Sequence, residues 1–234
     1  MKTELAEREL SRVKAFEKTK LYDLAASVPL VVFYGWGVWT ISLDVAGRFQ
    51  ALADGGSPLG IIGIVSQALT VLVSGVLLTL LLARRVPKAK ASGLMPRFAA
   101  VMGTFAGVTF SFIPLAPLPL FVSIITMAPV IVGTLATIIV ALWLGRQFSI
   151  MPEARRLVVA GPYARVRHPL YLCEEIALFG IALQHLLPWA LIVFACQFTL
   201  QLVRMRYEEE VLTSAFPEYT AYAARTPRLI PGIY

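Results

Sequence analysis

Six apolar runs organise the chain, at about Leu24 to Val45, Leu59 to Ala83, Phe98 to Ile113, Leu118 to Leu144, Leu170 to Leu186 and Pro188 to Val203. They approach the ~20 residues that carry a helix across a bilayer, where every peptide group must be paired within the protein. Helices are therefore the structures such runs can form. The breaks between them are chemically distinct: a Gly/Pro turn at Asp54 to Pro58, a hairpin at Pro114, Pro117 and Pro119, and a turn from His185 to Pro188. Of 234 residues, 58% are hydrophobic and 15% charged, whereas a soluble domain carries roughly 45–50% and about 25%. The expectation is an all-α, polytopic helical membrane protein with about six transmembrane helices, a C-terminal helical hairpin and a cytoplasmic tail.

Charge fixes the expected orientation. In an alternating six-pass arrangement, 20 of the 21 Lys and Arg residues fall on one side, with Arg48 the exception. By the positive-inside rule that side is cytoplasmic and holds both termini and the site. The N-terminal segment is too long and too mixed in charge for a secretory leader, and we read it as retained. Residues 1–22 are expected to form a cytoplasmic amphipathic segment, with Leu10, Val13, Phe16 and Leu21 available to its apolar face. A four-helix transmembrane region would cover 23–146, and a core of distinct composition 147–234. The net charge of +7 is accounted for by topology, and no nucleic-acid motif appears. With two His and two Cys in all, a four-ligand zinc site of those residue types would need every one of them to converge, and no metal is expected.

The polar residues inside apolar segments point to function. Gln197, Gln201, Arg204 and Glu208 recur at steps of four, three and four, placing them on one helix face. Ionisable residues at membrane depth are costly, so such a stripe must face protein or a water-filled cavity. Arg204 could alternatively snorkel and pair with Glu208. Arg167-His168-Pro169 places proline at the first helical position, so His168 sits near the N-cap with unpaired backbone N–H groups behind it. Glu174 and Glu175 follow within that helix, and at least one should face the site or pair with an arginine. Cys173 and Cys196 read as packing residues, and His185 as structural.

The segment Gly161-Pro162-Tyr163-Ala164-Arg165-Val166-Arg167-His168-Pro169-Leu170-Tyr171 resembles the G-x-Y-x-x-x-R-H-P-x-Y motif of isoprenylcysteine carboxyl methyltransferases and related membrane phospholipid methyltransferases. Glu208-Glu209-Glu210-Val211-Leu212 fits the E-E-x-x-L of that family, and Phe216-Pro217-Glu218-Tyr219, Tyr222 and Arg225 to Pro231 resemble its closing elements. The resemblance covers about Phe148 to Pro231. It implies an S-adenosylmethionine-dependent enzyme, with the cofactor contacted by Arg155, Arg156, Leu157, Val158, Tyr163, His168, Pro169, Leu170, Tyr171 and Glu208. Arg204 matches the family arginine implicated at the acceptor and is the expected catalytic residue, with Gln201 and Glu175 beside it as substrate-binding residues. The sequence departs from the pattern at Cys173, where glycine is usual, and at Pro217, where the motif has F-G.

The expected reaction is transfer of a methyl group to a lipophilic or prenylated acceptor entering from the bilayer among membrane lipids. Arg204 tips the expectation toward a carboxylate acceptor, as in isoprenylcysteine methylation. Other readings are methylation of a phospholipid or small lipophilic thiol, a nicotinamide-using enzyme like the sterol reductases, and a non-enzymatic transporter or scaffold.

Overall fold

The computed structural model describes residues 19–55, 59–114, 116–185 and 188–232. Most of the expected N-terminal amphipathic segment, including Leu10, Val13 and Phe16, lies outside them. Helix α1 (Lys20–Ala53) starts at an N-cap where Thr19 Oγ1 accepts from the Tyr22 N–H at 3.2 Å. It is followed by α2 (Leu59–Ala83), α3 (Leu94–Phe105), α4 (Leu120–Leu144), α5 (Pro169–His185), α6 (Pro188–Ala215) and the short α7 (Tyr219–Arg225). Pro29 and Pro129 lie inside α1 and α4, where neighbouring helices in a membrane can re-satisfy the freed backbone groups.

Four of these helices, α1, α2, α4 and α6, are long and apolar enough to cross a membrane. The third apolar run does not make one long helix: α3 ends after 12 residues and continues as a tighter 3-10 turn over Ala106–Phe112. The fifth run gives only the 17 residues of α5. Both short segments occupy polar ground: Gly103 of α3 takes a hydrogen bond from Gln197, and α5 carries Glu174 and Glu175.

Helices α4 and α5 pack at unusually close range because of two glycines. A Cβ on Gly133 would lie 2.5 Å from the Ala177 nitrogen and 2.8 Å from the Cys173 carbonyl oxygen; one on Gly180 would lie 2.9 Å from the Val130 nitrogen. Small residues are what let helix backbones approach without an aqueous hydrophobic drive. Cys173 therefore belongs to this helix contact and packs on a core cluster with Leu81, Ala141 and Leu170. Its replacement of the usual glycine bears on the packing of α5 rather than on the lining of either cavity described below. Cys196 does not pack as expected, being exposed on α6.

The connecting segments gather at two ends. At one, strand β1 (Ala89–Lys90) pairs antiparallel with β2 (Glu153–Ala154), and Arg85 N donates to Arg146 O at 2.9 Å. At the other, His185 Nδ1 lies 3.0 Å from the Pro114 carbonyl and its ring stacks on Phe110. His185 is structural, as its place in the turn indicated.

Candidate active site

The tail and the segment before α5 are tied by the backbone. Arg167 N and His168 N donate to the carbonyls of Pro227 and Arg228 at 2.8 and 3.0 Å. The Tyr222 hydroxyl donates to Tyr163 O at 2.6 Å. Burial pushes Tyr222 up to about 12 and holds the Tyr163 phenol above its ordinary range, so both rings stay neutral. Gly161 opens the 3-10 turn carrying Tyr163 at φ +63°, and a Cβ there would fall inside the Trp143 indole. The glycine of the G-x-Y motif thus answers both a left-handed backbone and a ring pressed against it.

Below this strap lies a first cavity. Its walls include Arg155, Arg156, Leu157, Val158, Tyr163, His168, Leu170, Tyr171 and Glu208, nine of the ten residues expected at a cofactor. Pro169, the tenth, is buried at the start of α5 without lining it. The first intrahelical hydrogen bond of α5 runs from Leu172 N–H to His168 C=O at 3.1 Å. The amides of Leu170 and Tyr171 therefore precede the helical ladder and face a helix N-terminus suited to an anion. The His168 amide is not available in this way, since Arg228 O takes it. Four buried polar atoms of residues on the cavity wall, Gln147 Oε1, Arg155 Nε, Arg167 Nε and Tyr219 Oη, lack a hydrogen-bond partner.

Glu209, rather than Glu208, anchors the wall. Its carboxylate accepts from His168 Nε2 at 3.0 Å and from Arg228 at 2.8–3.1 Å, and pairs with Arg167 at 2.9 Å. Spacing alone does not separate adjacent glutamates, but in a helix they point about 100° apart. Glu208 faces the cavity and accepts a short hydrogen bond from the Tyr171 hydroxyl.

A second cavity opens among the helices, lined in part by Tyr34 of α1, Val73 and Leu77 of α2, Gly103 and Thr104 of α3 and Thr137 of α4. Leu170 and Tyr171 line both cavities, so the two meet across the first turn of α5. Arg204 lies in the second, with its guanidinium 4.7 Å over the Tyr171 ring and its Nε 3.3 Å from Glu208. Its other nitrogens reach Thr104 Oγ1 and Ser149 O at 3.3 and 3.4 Å. The polar stripe of α6 is buried: Gln197 and Gln201 are each 1% exposed and Arg204 4%. Of the residues expected at the acceptor, Gln201 and Glu175 do not line the cavity. Gln201 holds Glu174, which does, and Glu175 is held by Gln197.

Arg155 lines the first cavity, yet its guanidinium is committed to Asp23 at 3.1 Å and Glu153 at 2.5 Å. Asp23 also accepts from Arg84 at 2.9 and 3.1 Å, and all three of Asp23, Arg84 and Arg155 are buried. This cluster ties the start of α1, the end of α2 and the segment before Val158. The sequence reading missed it, and the one available signal was an aspartate at the edge of an apolar run.

Residues 120–219 match the model of the family described as phospholipid methyltransferase. That segment, somewhat under half of the chain, is similar to this family. It runs from α4 to the first residue of α7 and holds every residue lining the first cavity except Tyr222. The chain is also similar to the cobalt-zinc-cadmium resistance protein CzcN of Cupriavidus metallidurans, 38% identical over 33% of this chain and 36% of that protein. It is 33% identical to the nickel-cobalt-cadmium resistance protein NccN of Alcaligenes xylosoxydans xylosoxydans, over 35% of this chain and 38% of that protein. The chain thus spans little more than a third of either relative. The family grouping joins phospholipid methyltransferases with isoprenylcysteine carboxyl methyltransferases as integral-membrane enzymes, in agreement with the four long apolar helices.

Proposed function

We propose that the protein is an integral-membrane methyltransferase that moves a methyl group from S-adenosylmethionine to a lipophilic acceptor reaching the site from the bilayer. The observation that carries this reading is the pair of cavities meeting at Tyr171, one under the polar tail and one among the helices. A polar methyl donor and an apolar acceptor need separate entrances and a shared wall.

The first cavity fits the cofactor. Leu157, Val158, Leu212 and the rings of Tyr163 and Tyr222 offer an apolar and aromatic bed for a purine. The amides at the start of α5 suit the carboxylate of the methionyl moiety, Glu208 suits its ammonium, and the orphaned Gln147 Oε1 and Arg167 Nε await polar partners. When bound, the group supplies a methyl carbon activated by a sulfonium. The protein then has to orient the acceptor and keep water out, which is where positioning can contribute most of the rate. Tyr171, fixed between Glu208 and Arg204, sets the boundary across which the two meet.

A carboxylate acceptor, the class Arg204 brings to mind from sequence, would need that arginine's charge to be available. Here Glu208 already stands 3.3 Å from it. The metal-resistance names of the two relatives belong to those proteins, and among the described residues no group of three or more His, Cys, Asp or Glu could hold a metal ion. The test is calorimetric binding of S-adenosylhomocysteine to detergent-purified protein. Glu208→Ala should weaken it about 10–100-fold, the loss of one charged hydrogen bond. A folded, lipid-supplemented wild type that does not bind would refute the methyltransferase reading.

A further inference from the structure

Among the unpartnered atoms on the wall of the first cavity, Arg155 Nε differs in that both terminal nitrogens of its guanidinium are already held. Nη1 and Nη2 donate to the two carboxylate oxygens of Asp23 at 3.4 and 3.1 Å, and Nη2 also reaches Glu153 at 2.5 Å. Such a pairing through both terminal nitrogens fixes the plane of a guanidinium, and with it the direction of the remaining N–H. Asp23 is itself fixed: Arg84 donates to its carboxylate oxygens at 2.9 and 3.1 Å and to its carbonyl at 3.0 Å. On the other side, Ser149 Oγ donates to Glu153 at 2.9 Å. The cluster therefore holds Arg155 from two directions and leaves one N–H of a charged side chain, 4% exposed, without an acceptor. Neither Asp23 nor Arg84 lies in the 120–219 segment that matches the family.

We propose that Asp23 is a positioning residue for the first cavity: the start of α1, tied to the end of α2 through Arg84, aims Arg155 Nε–H at a hydrogen-bond acceptor of the bound ligand. This rests on the reading of that cavity as the S-adenosylmethionine site and brings a residue of the first helix into it. The atom served is an oxygen or ring nitrogen that S-adenosylmethionine and S-adenosylhomocysteine share, since the two differ only in the methyl group and charge at sulfur. A buried donor of a charged group carries its full desolvation cost while unserved, and a ligand that supplies the acceptor relieves that cost on binding. Arginine suits this double task and lysine does not. A lysine ammonium can hold the ion pair with Asp23, but its side chain has no counterpart of Nε.

The experiment is calorimetric binding of S-adenosylhomocysteine to detergent-purified wild type, Arg155→Lys, Asp23→Asn and the double variant, each with a thermal melt. Arg155→Lys keeps a cation opposite Asp23, so its melt should stay close to that of wild type while affinity falls about 10–100-fold, the loss of one charged hydrogen bond. Asp23→Asn removes the carboxylate charge at constant size and should lower affinity to a similar extent. In the Arg155→Lys background the same change should alter affinity by no more than about twofold, because its effect passes through Nε. A merely structural cluster would instead lose the same factor to Asp23→Asn in both backgrounds. If Asp23→Asn does not fold, Asp23→Glu takes its place throughout, since one added methylene displaces the guanidinium while keeping its partner. The inference is overturned if Arg155→Lys binds like wild type or loses affinity only together with its melt. It is equally overturned if the Asp23 substitution leaves affinity unchanged or acts with the same size in both backgrounds. Absence of S-adenosylhomocysteine binding in a folded wild type would bring down the underlying reading.

Discussion

Glu209 shows how much one side chain can decide. It receives His168, Arg167 and Arg228 while only 8% exposed, so Glu209→Ala would leave three donors facing a buried void. Breaking a fully buried pair costs ~3–5 kcal/mol; with Arg167 and Arg228 partly exposed, we expect roughly 2–4 kcal/mol. Thermal unfolding in detergent measures this, and limited proteolysis of the tail should accelerate in parallel. Glu209→Ala with unchanged melting and an uncut tail would remove Glu209 from its place as anchor. The motif residues were legible in the sequence because short spacings reveal a shared helix face. Which of two adjacent glutamates faces the first cavity was not, since that depends on how α6 is rotated against a tail almost 20 residues further on. Asp23 was hidden for a stronger reason: its partners lie 61 and 132 residues away, and no local pattern encodes such a meeting.

Among the elements, the α4–α5 contact governs whether the two cavities stay aligned. Gly133 faces the Cys173 carbonyl and the Ala177 amide, one turn and two turns beyond the start of α5 that separates the cavities. Gly133→Leu forces these helices apart and should reduce S-adenosylhomocysteine affinity by at least about tenfold, or prevent folding. Gly75→Leu on α2, where a Cβ meets nothing within 4 Å, should leave affinity unchanged and serves as the paired control. Equal affinities in both variants would show that the close approach is incidental. Five of the long apolar runs were readable as helices from composition alone, and the hairpin of α5 and α6 from its motifs. The interruption of the third run at Phe105 was not readable, because an apolar window cannot tell a 3-10 turn from a continuing α-helix. The break falls directly after Gly103 and Thr104, through which α3 meets the polar face of α6.

At the scale of the whole molecule, the segments 84–93, 145–168 and 216–232 meet at one end, while Pro114 and His185 meet at the other. The basic residues concentrate in the first group, which the positive-inside rule assigns to the cytoplasm. In a background of Cys173→Ala and Cys196→Ala, a membrane-impermeant maleimide applied to intact cells should label Asp54→Cys and spare Arg225→Cys until the cells are opened. The opposite pattern would invert the orientation. The strap formed when Pro227 and Arg228 accept the amides of Arg167 and His168 also imposes a schedule on biosynthesis. The residues from 216 onward that close the wall over the first cavity are synthesised after the last long helix, so nearly all the apolar mass is made before that wall exists. Membrane insertion and competence to hold a ligand thus draw on different parts of the chain, and a protein truncated after residue 216 would keep every long helix yet have an open bowl in place of the first cavity.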